Sequence, residues 1–168
     1  RTKAVKQDNP LKMETMIGAQ ASLEQMEKIK SYLDLGKKEG AKVLCGGSEA
    51  KINSGLEKGN YIQPTIFEGK NNMRIFQEEI FGPVVTVVKA TDFENALHLA
   101  NASPYGLSSA CYTNDRLEAY RFKTGIKAGM TGINNSTTGA EAHLPFGGVK
   151  DSGNGTRESG IWVLEAYS

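Results

Sequence analysis

The chain has 168 residues, of which 39% are hydrophobic and 23% are charged, and its formal net charge is +1. This composition predicts a globular chain long enough to build a core, and it excludes a disordered segment and the basic surface of a nucleic-acid-binding protein. No apolar run reaches the length of a membrane-spanning helix, and the charged first residues lack the apolar segment of a signal peptide, so a cytoplasmic location is expected.

One helix is strongly marked in the first half of the chain. Ser22 and Gln25 form a capping-box pattern at its start, and the apolar residues that follow recur at helical spacing. Gly40 is a suitable residue just beyond its C-terminal end. Residues 1–7 are compatible with a second helix that has no start signal, so we expect the chain to begin inside an element.

Two short strands are predicted on either side of a polar loop. Residues 41–45 (AKVLC) predict a buried strand, residues 48–60 a loop, and residues 61–67 (YIQPTIF) a second strand. Pro64 has no backbone N–H to donate, which assigns the second strand to an edge of its sheet.

A regular alternation of strands and helices begins at Val84. Three apolar or β-branched runs predict strands: 84–88, 107–112 and 129–134. Thr91 with Glu94 forms a capping box for the first helix between them, and Asn114 or Asp115 caps the second. Alternating strands and helices with short connections predict an α/β fold with a parallel sheet.

The stretch 136–160 is rich in glycine and has no predicted strand or helix, which often marks a functional segment. Its glycines do not complete a P-loop, because Asn154 stands where lysine is needed, and they do not form a dinucleotide-binding fingerprint. Thr156 or Ser159 then opens a final helix.

The cysteines and histidines form no complete catalytic triad or metal-ligand set. Cys45 and Cys111 lie in predicted strands without a CxxC spacing, where a small buried side chain is the expected role. His98 and His143 have no HExxH or GxSxG motif around them. We therefore expect no metal site.

Two adjacent carboxylates precede the strand at 84–88 in the sequence QEEIFGP, residues 77–83. Alternate side chains of an extended segment share a face, so Glu79 would lie beside Phe81 while Glu78 faces the other way. A carboxylate can accept both hydroxyls of a ribose, and an aromatic ring can lie against a flat heterocycle. The same spacing fits a solvated strand entrance with Phe81 in the core, and both interpretations stay open.

Four motifs together resemble the NAD(P)-dependent aldehyde dehydrogenase superfamily. FQEEIFGPV (76–84) is similar to a signature of that family, and LPFGGVKDSGNGTRESG (144–160) is similar to its other C-terminal block. GKKEGAKVLCGG (36–47) and YIQPTIF (61–67) also resemble its members, in the same order. The resemblance implies a Rossmann-like, parallel-sheet catalytic domain of the aldehyde dehydrogenase fold, of which residues 1–168 would be one portion.

The resemblance also implies roles for individual residues. Glu79 would hydrogen-bond the ribose of a nicotinamide cofactor, NAD or NADP, and Phe81 would pack near the nicotinamide ring. Glu158 would match a glutamate that assists proton relay without contacting the substrate itself. Arg157, which precedes it, would be structural.

The expected substrate pocket comes from the second half of the chain. By the same resemblance, Asn134 and Thr138 would belong to the wall of the substrate entrance, and Phe146 would line the aldehyde pocket. The sequence up to Pro83 resembles broad aliphatic or betaine-type aldehyde dehydrogenases. Residues 134–148 resemble the branch that acts on semialdehydes, which we favour because this stretch would line the pocket.

The nucleophilic cysteine of the family lies in a Gly-Gln-x-Cys motif, and no such motif occurs in this sequence. The general base, the cofactor domain and the C-terminal pairing strand would also lie outside it. We therefore expect an internal piece, inactive by itself, of a homodimeric or homotetrameric enzyme that oxidises an aldehyde through a cysteine thioester. The alternative is a free-standing, non-catalytic α/β binding or assembly module.

Overall fold

A computed structural model describes residues 1–52 and 55–168 of the chain. Within it the chain divides into two units, Arg1–Val88 and Lys89–Ser168. No helix in the described part of the chain has the length and apolarity needed to cross a bilayer.

The first unit contains two α-helices and three strands: α1 (Leu23–Lys38), β1 (Lys42–Cys45), β2 (Thr65–Glu68), α2 (Arg74–Gln77) and β3 (Val84–Val87). The helix predicted over residues 1–7 is wrong, because only a 3₁₀ turn forms at Thr2–Ala4. Arg1 donates no side-chain cap to that turn, and Gln7 instead makes an extended bridge to Ile17. A single uncapped turn has no means of propagating into a helix.

Helix α1 is bounded as the sequence predicts. The Ser22 side chain accepts a hydrogen bond from the backbone N–H of Gln25 at 3.1 Å. Gly40 lies just past the helix with φ +83°, a conformation that L side chains rarely adopt, and its N–H donates to the Lys37 carbonyl. The helix buries one face against the sheet through Met26, Ile29, Leu33 and Gly36. The start and the end of α1 are therefore confirmed.

Strand β2 is the central strand of the first unit, in the order β1-β2-β3. It pairs antiparallel with β1 and parallel with β3. The predicted edge position is therefore wrong, because β2 begins at Thr65 and Pro64 stands before it, where no ladder N–H is required. Thr65 makes the first contact, its N–H donating to the Pro83 carbonyl at 2.8 Å.

The neighbouring strands are less buried than their apolar sequences predict. Leu44 of β1 is 43% exposed and Val85 of β3 is 59% exposed, and each strand alternates between partly buried and exposed residues. The core of the first unit is built instead on Ile29, Ile62 and Phe67, none of which is exposed. Burying side chains of this size is the main stabilising contribution to such a unit.

The second unit contains three helices and four strands: α3 (Phe93–Asn101), β4 (Tyr105–Gly106), β5 (Ser108–Cys111), α4 (Arg116–Gly125), β6 (Met130–Ile133), β7 (Val149–Lys150) and α5 (Val163–Tyr167). Strands β5 and β6 pair in parallel on either side of α4, and β4 pairs antiparallel with β7. Of the three strands predicted from Val84 onward, β5 and β6 pair in parallel as expected, whereas β3 pairs in parallel with β2 in the sheet of the first unit. The α/β class with parallel strands is thus confirmed.

Helix caps in the second unit differ from prediction at one position. Asp92, and not Thr91, caps α3, its carboxylate accepting from the Asn95 N–H at 2.7 Å. The Asp92 side chain reaches the helix start better than that of Thr91, one residue earlier. The Thr91 hydroxyl instead donates to the Asp92 carboxylate. Asp115 caps α4 as predicted, accepting from the N–H of Leu117 at 2.7 Å.

The glycine-rich stretch is more ordered than its sequence predicts. It contains β7, and the ammonium group of Lys150 donates to the carbonyls of Asn101, Ser103 and Tyr105 at 3.1, 2.9 and 3.2 Å. The final helix is preceded by a 3₁₀ turn at Gly160–Trp162, whose capping position Ser159 makes no side-chain cap. Lys150 therefore connects β7 to the last residue of α3 and to the residues that follow it.

Candidate functional site

Glu78, the first of the two adjacent glutamates, is a structural anchor. The Arg74 guanidinium donates to its two carboxylate oxygens at 2.6 and 3.0 Å, and the Tyr32 hydroxyl donates to one of them at 2.8 Å. Arg74 first and then Tyr32 hold the pKa of Glu78 below its ordinary value of 4.5. These bonds connect α2 and α1 to the segment that follows.

The second glutamate, Glu79, has a different environment. Its side chain is exposed, and among the described residues it has no hydrogen-bond or ion-pair partner. Phe81 is 70% exposed, so the interpretation that places this ring in the core is wrong. Both side chains are therefore available to solvent, and their role at a cofactor stays a prediction.

Phe81 does not continue an extended strand, as the alternation argument assumed. Its φ is +57°, in the left-handed region that costs a non-glycine residue about 1–2 kcal/mol. Ile80 before it is buried, which holds the segment against the core on the side away from Phe81. A strained backbone of this kind persists only where the surroundings determine it.

Sequence reasoning missed the role of Gln25 beside this segment. Its side-chain amide donates to the carbonyls of Ile80 at 3.1 Å and Phe81 at 2.7 Å, and it does not complete the expected capping box. Gln25 and Phe81 both line a depression of about 360 Å³ with mostly apolar walls. No local pattern marks a contact between residues 55 positions apart.

Glu78 should make the unfolding free energy depend on pH. A group whose folded-state pKa is depressed contributes stability above its ordinary pKa, and that contribution disappears as the pH falls through the folded-state value. Glu78→Gln should therefore lower the unfolding free energy at neutral pH, with a difference from wild type that shrinks below about pH 4.5. Urea unfolding over a pH series measures this, and Arg74→Leu should remove the same pH-dependent part. A difference that is constant with pH would contradict the assignment.

Asn134 follows β6, at the carboxyl ends of the parallel strands β5 and β6. It has φ +52°, and its side-chain amide both donates to the Thr113 carbonyl and accepts from the Thr113 N–H at 2.9 Å. These two hydrogen bonds connect the end of β6 to Thr113, the second residue after β5. The role predicted for Asn134 in a substrate pocket stays a prediction.

Thr138 lies on the loop that follows Asn134. It lines a cavity of about 310 Å³ in the second unit, together with Thr131 of β6 and Glu141. The hydroxyls of Thr138 and Ser136 are 2.7 Å apart, and the Thr138 N–H donates to the Ser136 hydroxyl. A cavity with hydroxyl and carboxylate groups at its wall can accept a small polar molecule.

Phe146 and Glu158 are brought together by the backbone. The Phe146 N–H donates to the Glu158 carbonyl at 2.7 Å, and the Glu158 N–H donates back at 2.9 Å. The Glu158 side chain is exposed and lines an open cavity of about 640 Å³ with His143 and Tyr167. The sequence pattern does not predict that His143 and Tyr167 line the same cavity as Glu158.

The thiols and acidic groups show no further cluster. Within residues 1–52 and 55–168, no group of three or more His, Cys, Asp or Glu residues is placed to hold a metal ion. Cys45 and Cys111 are half-buried and not fully buried as expected. Burial, and then the nearby Glu118 carboxylate, raise the pKa of the Cys111 thiol, which disfavours its nucleophilic form.

Comparisons with known proteins place this chain in one family. The aldehyde dehydrogenase family model matches residues 1–168. The chain is 53% identical over 167 residues to an aldehyde dehydrogenase of Rhodospirillum rubrum, covering 99% of this chain and 33% of that protein. It is 52% identical over 167 residues to a fluoroacetaldehyde dehydrogenase of Streptantibioticus cattleyicolor, covering 99% of this chain and 32% of that protein.

A solved structure shows the same relationship. The betaine aldehyde dehydrogenase of Staphylococcus aureus, crystallised in complex with NAD⁺, matches with a TM-score of 0.92 and 38% identity, covering 99% of this chain and 33% of that one. The fold is therefore a part of an α/β dehydrogenase fold. The chain belongs to the aldehyde dehydrogenase family, and it spans about a third of the length of the relatives it matches.

Proposed function

We propose that the complete protein oxidises an aldehyde to its carboxylate with NAD or NADP through a cysteine thioester. This chain contributes a nicotinamide-ribose contact and a wall of the substrate tunnel, while the nucleophilic cysteine is supplied from outside residues 1–168. The family match and the named activities of the relatives support a dehydrogenase over a free-standing, non-catalytic module. We further propose that the complete protein is a cytoplasmic homodimer or homotetramer.

The observation that carries the cofactor role is the contrast between the two adjacent glutamates. Arg74 and Tyr32 bind Glu78, while Glu79 is exposed and so is the Phe81 ring two residues later. In the proposed site the Glu79 carboxylate accepts hydrogen bonds from the ribose hydroxyls, and Phe81 packs near the nicotinamide. The bound nicotinamide would supply the hydride acceptor. The residues present therefore fit this group.

The second unit carries the proposed substrate and proton-relay residues. Thr138 lines the 310 Å³ cavity, while Asn134 holds the start of its loop to Thr113. Phe146 is held by the two backbone bonds to Glu158, whose side chain is exposed to solvent. We propose that Asn134, Thr138 and Phe146 shape the aldehyde pocket and that Glu158 assists proton relay.

Glu79→Gln in the complete enzyme tests the cofactor role. Hydrogen bonds to a charged group contribute about 1.5–3 kcal/mol, so kcat/KM for the cofactor should fall about tenfold to hundredfold. Glutamine keeps the length of the side chain but removes its charge, so a stopped-flow measurement of cofactor reduction should also show a slower hydride step. Glu24→Gln, an exposed glutamate on α1, is the matched control and should behave as wild type. An unchanged rate and affinity in Glu79→Gln would refute the role.

The substrate class is tested with an aldehyde panel. The similarity to a fluoroacetaldehyde dehydrogenase favours a short aliphatic aldehyde as the first substrate to measure. The sequence of residues 134–148 favours a semialdehyde as the second candidate, since this loop and its neighbours line the 310 Å³ cavity. A higher kcat/KM for a semialdehyde than for acetaldehyde would support the second candidate, and the reverse order would support the first.

A further inference from the structure

The segment Glu78–Gly82 makes several contacts with a single face of α1. Gln25, Ile29 and Tyr32 follow one another at spacings of four and three residues, which places them along one side of a helix. Tyr32 binds the first residue of the segment, and Ile29 packs under its last residue. Helix α1 therefore contacts both ends of the segment that contains the proposed cofactor residues.

The contact with Ile29 requires a glycine at the end of the segment. A Cβ atom built on Gly82 would lie 2.5 Å from Cδ1 of Ile29, closer than real Cβ contacts. Ile29 is fully buried in the core of the first unit, so it has little freedom to move away. The backbone at Gly82 is consequently fixed against α1 immediately after Phe81.

Gln25 makes the contact that bears directly on Phe81. One side-chain amide nitrogen donates to two successive carbonyls, those of Ile80 and Phe81 at 3.1 and 2.7 Å. An amide nitrogen carries two hydrogens, so both are used on this segment. These two carbonyls belong to the peptide groups on either side of Phe81, whose φ is +57°. Removing the amide therefore removes a restraint on the strained backbone at Phe81.

We propose that Gln25 is a positioning residue of the cofactor site, which presupposes the proposed function of Glu79 and Phe81. Its amide clamps the Ile80 and Phe81 carbonyls, and this clamp orients the aromatic ring and the carboxylate of the preceding Glu79 toward the nicotinamide ribose. Gln25 acts through the backbone of the segment, so its loss changes the geometry of the site while leaving the chemistry of both groups intact.

Gln25→Leu in the complete enzyme is the first test. Leucine keeps the helix and the approximate volume of the side chain but has no donor, so the cofactor Kd measured by direct titration should rise about tenfold to hundredfold. Backbone amides of residues 80–82 should exchange hydrogen faster than in wild type, with or without cofactor. Gln25→Glu, which has the same length and only acceptors, should give the same losses if Gln25→Leu folds poorly. Glu24→Gln is the control on the exposed side of α1.

A double variant separates this proposal from the cofactor role of Glu79. If Gln25 acts through the segment, adding Gln25→Leu to Glu79→Gln should raise the cofactor Kd by a smaller factor than adding it to wild type, because the carboxylate that the clamp orients is already altered and only the effect through Phe81 remains. Additive losses would overturn the clamp. So would a wild-type Kd in Gln25→Leu together with a weakened Glu79→Gln. A wild-type Kd in Glu79→Gln would instead refute the proposed function on which the clamp rests.

Discussion

Phe67→Ala is expected to lower the free energy of unfolding of the first unit by about 3–5 kcal/mol. Phe67 lies in the central strand β2 and is completely buried. It belongs to one cluster with Ile29 and Leu33 of α1 and Ile75 of α2, so its ring connects the sheet to both helices. Alanine would leave a cavity at this junction that rigid neighbours fill only in part.

The matched control for this variant is Phe81→Ala. It makes the same chemical change at a ring that is 70% exposed, where truncation leaves no core cavity, so the loss of stability should be much smaller than for Phe67→Ala. Urea unfolding gives the two free energies, and hydrogen exchange of the β2 amides assigns the loss to the first unit. Equal losses in the two variants would mean that burial of Phe67 does not stabilise this unit.

Gly129→Ala is expected to destabilise the second unit by about 3 kcal/mol, the upper end of the range for overpacked sites. A Cβ atom at Gly129 would overlap the carbonyl oxygen of Gly147, and it would also lie 2.7 Å from the Gly147 carbonyl carbon and 2.9 Å from Cα of Gly148. These are all backbone atoms, so no side chain can rotate away. The start of β6 must then separate from the loop that carries Phe146.

Hydrogen exchange provides the readout for this second variant. The amides of Phe146 and Glu158, which bond each other's carbonyls, should lose protection together when the loop moves. Gly132→Ala is the matched control within β6, because its nearest contact would be an ordinary 3.4 Å. Equal destabilisation of both variants would show that a general loss of glycine, and not the close approach to Gly147, causes the effect.

The proposed substrate residues would respond differently to the two glycine variants. Gly129→Ala moves the Phe146–Glu158 bridge, whereas Gly132→Ala changes a position whose nearest neighbours are Asn135 and Ser136 at ordinary distances. In the complete enzyme we therefore expect Gly129→Ala to impair aldehyde oxidation more than Gly132→Ala does. That ordering follows from backbone geometry and needs no assumption about the identity of the aldehyde.

Features with local causes could be predicted from the sequence. The start of α1 at Ser22, its end at Gly40 and the cap of α4 at Asp115 each depend on bonds between residues a few positions apart. The salt bridge between Arg74 and Glu78 also joins residues only four positions apart, but Glu78 lies just beyond the short helix α2 in an extended conformation, so helical spacing does not predict it. The family resemblance rests on motifs of the same short range.

The errors have a common physical origin in contacts distant along the chain. Pro64 was assigned to a sheet edge from its missing N–H, but the pairing of β2 begins one residue later and places that strand in the centre. The amide of Gln25 fits a capping box by spacing, yet it finds two carbonyls 55 and 56 residues away. The exposure of Phe81 depends on the conformation of residues 78–82, a segment that contacts α1.

The sequence by itself therefore determined the α/β class, the family and the pair Glu79 and Phe81 as candidates, since periodicity, caps and short motifs are written in adjacent residues. Only the tertiary structure decided that Glu78 is bound, that Glu79 and Phe81 are exposed, and that Gln25 reaches the same segment. Exposure and long-range hydrogen bonds depend on which surfaces meet after folding. Spacing along the chain cannot specify those surfaces, because local sequence allows each side chain several hydrogen-bond partners until the helices and strands pack together.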